Sequence, residues 1–293
     1  MDKIKQTLMH YNDLDHEVIK LTNTAYLIDN NYIIKQYNDF NMLNRNIKTF
    51  NLLYQEGIPV SKIIKTKDEK DYITLDNNYY FMYEKLKGES IKEIKEGSSL
   101  DYLMGETIAL LHIALKNIES KEEFYHNSLL GELSGWIKES FEKSNYKYIS
   151  KEEFESIEDE LTSIYDKLEK QLIHRDVHFD NFLFYNNEFS GYIDFDLSQI
   201  NIRIFDICYF LLSLLSNQEE FIITIDKWKK VISNVISGYQ RHIKLNEYEI
   251  KAIPLVMKCI ELLFIAYFTN VNEEALAKDA LNIYYIVKSI ENK

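Results

Sequence analysis

Hydrophobic and polar positions fall into two regimes along the 293-residue chain. Up to about residue 85, short β-prone runs alternate with one amphipathic helix. The runs at 25–29 and 32–37 flank Asn30-Asn31 and read as a hairpin. Residues 40–55 place Leu43, Ile47, Phe50, Leu53 and Tyr54 at helical spacing, and Gly57 ends the run. Runs at 60–64, 72–75 and 79–83 read as three further strands. From Ile91 onward the period is helical. Residues 100–115 carry Leu103, Thr107, Leu110, Leu111 and Ala114 in a helical pattern, and more helices are expected at 132–143, 151–170, 204–216, 219–243, 246–268 and 273–291. Only residues 172–196 interrupt this regime with short β-like runs. The order predicts an α+β protein. A small lobe over 1–85 has an antiparallel sheet and one main helix, a large mainly helical lobe covers 86–293, and a cleft separates them.

The interruption holds the polar residues that matter chemically. It reads His174-Arg-Asp176-Val-His-Phe-Asp-Asn181, then Ile193-Asp194-Phe-Asp196. Phosphoryl transfer is mostly positioning and charge neutralisation, and these residue types suit it: Asp176 to take a proton from a hydroxyl, Asn181 and Asp194 to hold magnesium. Residues 182–185 and 190–193 flank Asn186-Asn-Glu-Phe189 as a hairpin with a four-residue loop. Pairing Tyr185 with Ser190 sets Asn181 opposite Asp194, with Cβ atoms about 4.5–5.5 Å apart. One or two magnesium ions would fit there, held by oxygens and phosphates. A rival reading takes His174, Asp176 and His178 as alternating ligands of a zinc or iron hydrolase. The remaining histidines, His10, His16, His112, His126 and His242, form no cluster in the sequence, and that reading leaves Asn181 and Asp194 unused.

At these residues the chain resembles the aminoglycoside phosphotransferase family of the protein-kinase-like superfamily. The pair of motifs above carries the resemblance, followed by Phe205-Asp206-Ile-Cys-Tyr; Gly57-Ile-Pro-Val60, Ala109-Leu-Leu-His112, Gly238-Tyr-Gln and Glu249-Ile-Lys-Ala-Ile-Pro254 add to it. It implies a bilobal protein-kinase-like fold and transfer of the γ-phosphoryl group of ATP or GTP to a hydroxyl of a small molecule. By position, Asp176 is similar to the catalytic base, Asn181 and Asp194 to the Mg2+ ligands, and Asp206 to an aspartate that braces the catalytic loop. Lys35 resembles the lysine that pairs with the nucleotide phosphates, and Met82, Tyr83, Glu84, Lys85 and Leu86 fall in the hinge whose backbone would meet the nucleobase. The phosphate-covering turn corresponds to Thr22, Asn23 and Thr24. His174 and His178 are expected as loop residues, His178 with a possible touch on substrate, and Asp196 as metal, substrate or structural support. Two departures stand out. Residues 1–56 contain no glycine, so no glycine-rich phosphate loop exists there. The helix over 41–54 offers Asn46 and Lys48 where a glutamate partner for Lys35 is expected.

Composition narrows the partners. A net charge of −13 disfavours nucleic acid and is compatible with an amine-bearing acceptor such as an aminoglycoside. The N-terminus lacks the apolar region of a signal peptide, and the apolar segment 254–268 is interrupted by Lys258 and Glu261, so a cytoplasmic protein without a membrane span is expected. Cys208 and Cys259 read as buried free thiols. His112, Trp136 and Trp228 read as core, and the acidic run 152–160 as a solvated helix face. Two alternatives use the same machinery differently: a protein serine/threonine kinase, weakened by the lack of an Ala-Pro-Glu segment after Asp194, and a kinase-like nucleotide-binding scaffold, favoured by the two departures.

Overall fold

The computed structural model of the chain describes residues 2–11, 16–91, 94, 99–186, 188–216 and 223–291. In chain order its elements begin with α1 (Asp2–Met9), β1 (Val18–Lys20), β2 (Ala25–Ile28), β3 (Tyr32–Tyr37) and α2 (Phe40–Gln55). β4 (Ile63–Ile64), β5 (Ile73–Leu75), β6 (Asn78–Glu84), β7 (Glu89–Ser90), α3 (Leu100–Glu119), α4 (Leu129–Glu132), α5 (Lys138–Lys143) and α6 (Lys151–Ile164) follow. Then come β8 (Lys170–Ile173), β9 (Phe182–Tyr185), β10 (Glu188–Tyr192), β11 (Gln199–Ile202), α7 (Ile204–Ser216), α8 (Ile225–Tyr239), α9 (Glu247–Asn270) and α10 (Glu274–Glu291).

The chain forms two compact units, and they are not consecutive stretches. Met1–Ile91 groups with Phe179–Ser198, while Lys92–His178 groups with Gln199–Lys293. The first unit is built on an antiparallel sheet ordered β1-β2-β3-β6-β4, with β5 also paired to β6. Two strands, β1 and the two-residue β7 that pairs with β9, and one helix here are absent from the sequence expectation. β1 is a three-residue, largely exposed edge strand, too short and too polar to show a period. α1 shows only Ile4 and Leu8, one turn apart, and these pack with Ile28, Ile34, Ile73, Tyr80 and Met82. The expected run 60–64 supplies only the two-residue β4. Two hairpins turn on Asp-Asn pairs in the left-handed region, Asp29-Asn30 (φ 48° and 57°) and Asp76-Asn77 (φ 48° and 58°). Short polar side chains tolerate that conformation, so the turns form without glycine. The first lies one residue earlier than the Asn30-Asn31 turn expected. α2 begins at Asp39, whose carboxylate accepts the Asn41 and Met42 amides, and it buries Leu43, Ile47, Phe50 and Leu53.

The second unit is mainly helical, with β8 and β11 as a two-stranded antiparallel ribbon. The helix expected over 151–170 ends at Ile164, because the chain turns through Tyr165–Lys167 and enters β8 at Lys170. The helix expected over 219–243 runs Ile225–Tyr239, and residues 217–222 lie outside the described residues. Gly135 (φ −101°, ψ −115°) breaks the run between α4 and α5. α9 is long and apolar enough to cross a membrane by length and composition, with mean hydropathy 1.8, although Lys258 and Glu261 had been expected to interrupt such a span. Within the protein 67% of its most apolar window is buried, as in a core helix, and Lys258 and Glu261 are themselves buried. Cys208 and Cys259 are buried and free, and Trp228 is buried with its indole N–H donating to the Leu211 carbonyl at 2.7 Å. The acidic run is partly engaged: Glu153 meets Lys288 at 2.6 Å and Glu158 meets Lys138 at 2.8 Å.

α3 and α8 approach closely through two glycines. A Cβ on Gly105 would sit 2.1 Å from the Val235 carbonyl oxygen, and one on Gly238 would sit 2.0 Å from that of Tyr102. Backbone on the facing helix cannot yield as a side-chain tip can. Gly105→Ala and Gly238→Ala are therefore each expected to lower the unfolding free energy by about 1–3 kcal/mol despite the better helix propensity of alanine, read as a lower denaturant midpoint at unchanged slope.

Candidate active site

The β9–β10 hairpin carries the two residues expected at a metal. Glu188 pairs with Tyr185, Phe189 with Phe184, Gly191 with Leu183 and Tyr192 with Phe182, with an irregularity between Phe189 and Gly191. The four-residue loop and the Tyr185–Ser190 pairing expected from the sequence are therefore corrected; Asn187, within that loop, lies outside the described residues. The cause is packing around the extra residue. Gly191 lies so close to the Pro59 carbonyl oxygen that a Cβ there would approach to 2.8 Å, and Ser190 bonds outward to the Lys87 carbonyl at 2.7 Å. Beyond the strands, Ile193 donates its amide to the Asn181 carbonyl at 3.1 Å, so Asn181 stands opposite Ile193 and Asp194 follows directly. Asp194 has φ 67°, in the left-handed region that a short polar side chain tolerates.

Lys35 of β3 meets both acids of this segment. Its Nζ lies 2.5 Å from Asp194 Oδ1 and 3.1 Å from Asp196 Oδ2, and 5.1 Å from the centre of the Tyr37 ring. Burial opposes its charge, but Tyr37, Asp194 and Asp196 together hold the ammonium protonated far above its ordinary range. The Asp196 carboxyl is pushed up, first by burial and also by Asp194 beside it, against the pull of Lys35. α2 fixes the backbone between these acids. Asn46 Oδ1 accepts the Phe195 amide at 3.0 Å while its Nδ2 donates to the Tyr37 hydroxyl at 2.6 Å, and Arg45 Nε donates to the Asp196 carbonyl at 2.8 Å. Phe195 is buried edge-on against Phe50, ring centres 5.4 Å apart. The sequence offered one signal for this: Asn46 occupies a core-facing position beside Leu43, Ile47 and Phe50, and it is buried. Arg45 gave no such signal.

The other residues expected on the nucleotide side belong to the same sheet, in the turn before β2 and at the end of β6. Ala25 pairs with Lys35, which sets the turn holding Thr22, Asn23 and Thr24 at that end of the hairpin. Thr22 Oγ1 accepts the Thr24 amide at 3.2 Å and the Ala25 amide at 3.0 Å, and Lys20 donates to Asn23 at 3.1 Å. The turn thus satisfies its own amides with a side chain. Of the residues expected at the hinge, Met82 and Tyr83 have strand neighbours on both sides. The Glu84 and Lys85 amides go to the Lys62 and Asn31 carbonyls at 2.9 and 2.8 Å. Among the described residues, Leu86 is the one hinge position whose amide makes no backbone bond.

In the second unit, Asp176 follows β8. Tyr209 donates its hydroxyl to Asp176 Oδ1 at 2.8 Å, and His178 Nε2 lies 3.4 Å from Oδ2. Burial alone would raise this carboxyl, yet the His178 contact and charge, His174 and the Tyr209 hydroxyl hold it well below the usual carboxylate range. Asp206, at the start of α7, is fully buried and accepts the His174 amide at 2.9 Å, the Arg175 amide at 2.8 Å and His112 Nε2 at 3.0 Å. His112 in turn meets the Tyr239 hydroxyl at 2.8 Å. His112 is thus buried as expected, but as a hydrogen-bonded member of the loop's support. Arg175 (φ 72°) donates through Nη2 to both Glu132 oxygens at 2.8 Å and through Nη1 to Gln199 at 3.2 Å. The buried His174 accepts the Asp176 amide on Nδ1 at 3.3 Å. Glu132 and Gln199 carried no sequence signal; Tyr209 and Tyr239 lie within the Phe205-Asp206-Ile-Cys-Tyr and Gly238-Tyr-Gln motifs, where no role was expected of them. Among the described residues no group of three or more His, Cys, Asp or Glu converges on one point, so the hydrolase triad finds no support.

A model of the phosphotransferase enzyme family matches residues 19–241, and the chain belongs to that family. A search of curated proteins by sequence returns no match. Solved structures share the fold. An amicoumacin kinase, hAmiN, in complex with AMP-PNP, Ca2+ and Ami is 18% identical with a TM-score of 0.68, covering 94% of this chain and 89% of that one. A microcompartment-associated aminopropanol kinase is 15% identical, TM-score 0.64, covering 98% and 94%. An aminoglycoside phosphotransferase from Alicyclobacillus acidocaldarius is 12% identical, TM-score 0.66, covering 98% and 92%.

The lowered carboxyl of Asp176 has a pH consequence. A group whose folded pKa lies below its unfolded value contributes stability that is present above the unfolded pKa, about 3.9, and is lost as pH falls through the folded value. The unfolded value is common to the wild type and Tyr209→Phe, which removes one contact to the carboxylate, so their stability difference should be constant from pH 7 to about pH 4 and shrink as pH falls further, toward the lowered folded value. Denaturant titrations across that range measure it; a difference that grows on acidification would contradict the assignment.

Proposed function

We propose that the protein transfers the γ-phosphoryl group of ATP or GTP to a hydroxyl of a small molecule. The observation that carries this reading is the convergence of Lys35, Asp194 and Asn181 within one unit; within the other, Asp176 is separately braced by Tyr209 and by the loop amides on Asp206. Asp194 and Asn181 are oxygen donors on adjoining hairpin ends, which fits a hard divalent cation such as Mg2+. Mg2+ takes few protein ligands and completes its shell with water and phosphate oxygens. When bound, it would neutralise charge on the β- and γ-phosphates. Lys35 would bind the α- and β-phosphates, and the Leu86 amide would donate to the nucleobase. Asp176 would accept a hydrogen bond from the acceptor hydroxyl and take its proton as the new O–P bond forms. An acceptor bearing an amine fits the net charge of −13. This reading implies a cytoplasmic location, where nucleotide triphosphates are abundant. The scaffold alternative loses one of its supports, because Lys35 has carboxylate partners without a helix glutamate.

Asp176→Asn keeps the shape and removes the base. Transfer to an aminoglycoside or amino-alcohol panel should fall roughly 10²–10⁴-fold with nucleotide affinity unchanged, measured by coupled assay and calorimetry. Full activity in that variant sinks the assignment. Asp194→Ala should abolish the extra nucleotide affinity that Mg2+ confers, and an undiminished Mg2+ effect in calorimetry refutes the metal role.

A further inference from the structure

We infer that Asp196 is the counter-carboxylate of Lys35, standing in for a helix glutamate, and that it keeps the lysine in place when Asp194 engages a metal–nucleotide complex. The inference rests on the nucleotide-binding reading above. α2 contains no Asp or Glu, so it has no acid to offer Lys35. The lysine's carboxylate contacts are Asp194 at 2.5 Å and Asp196 at 3.1 Å, both from the segment after β10. Asp194 has a second claim on it as a metal ligand. A buried ammonium left without a counter-charge is costly, so a second carboxylate is needed at the moment the first turns away. Asp196 meets that need and is itself held by α2: Arg45 binds its carbonyl and Asn46 binds the preceding amide, at Phe195. The helix therefore positions Lys35 at one remove, through the backbone of residues 195 and 196. Asp196 is on this account a positioning residue, acting on nucleotide through Lys35 and not as a metal ligand.

ADP and GDP titrations of the full-length protein, each with Mg2+ and with EDTA, separate these roles. Asp196→Asn should weaken nucleotide binding roughly tenfold to a hundredfold with Mg2+, and less with EDTA, where Asp194 stays on Lys35. Asp196→Glu, which keeps the charge, should recover most of that loss and guards against misfolding of the first variant. In a Lys35→Met background Asp196→Asn should cost nothing further. An equal loss in the Lys35→Met background makes Asp196 a metal ligand and overturns the inference, as does a loss as large with EDTA as with Mg2+. Unchanged affinity of Asp196→Asn overturns it alone, whereas a wild type that binds neither nucleotide overturns the nucleotide reading and this inference with it.

Discussion

A single buried carboxylate organises the second unit. Asp206 has no solvent to stabilise it, so its oxygens must be satisfied from within, and they are: two successive loop amides, His174 and Arg175, and the His112 ring. Hydrogen bonds to a charged acceptor in a low dielectric are strong, and leaving one end unpaired costs the full desolvation of the other. The loop conformation is therefore a condition of burying Asp206, not an option beside it. Arg175 in a left-handed backbone conformation is the strained element this arrangement sustains, and its guanidinium is tied off in turn by Glu132 and Gln199. Asp176 leaves this bracket one residue later with its direction already set.

The first unit solves the same problem with a different device. Here the residue in the left-handed conformation is Asp194, and what holds it is the next residue. Phe195 is buried against Phe50, and its amide is captured by Asn46 from α2. An asparagine on the core face of an amphipathic helix is unfavourable unless both its groups are paired, and Tyr37 and Phe195 supply the pairs. The two units thus share a principle: a half-buried carboxylate is aimed by a buried, hydrogen-bonded neighbour.

How much of this could be read in the sequence follows from the range of each interaction. The motif residues lie within a few positions of one another, and α2 and the long helices repeat their apolar positions over several turns, so all of these were legible. The register of the β9–β10 hairpin was not, because it depends on the close approach of Gly191 to Pro59, far away in the chain. Lys35 and Asp196 are separated by 161 positions and Tyr239 and His112 by 127, and no local pattern reports such pairs. The missing helix glutamate was visible; its replacement was not. β1 and α1 escaped notice for the opposite reason: they are local, but each is too short to express a period.

The electrostatics of Asp176 bear on how it would act in the proposed reaction. A general base is most effective with a pKa near the working pH, and the His178 and Tyr209 contacts move this carboxyl away from that value. A carboxylate so stabilised is a poor agent for stripping a hydroxyl early. It is a good acceptor for orienting one, because it remains ionised and its direction is fixed at both oxygens. In a loose phosphoryl-transfer transition state the nucleophile has gained little bonding to phosphorus, so its proton becomes acidic only late. Orientation then matters more than basicity, and an environment that lowers the pKa of Asp176 while holding it rigid favours the transfer. The same contacts that look like a penalty on a base are what a positioning carboxylate requires.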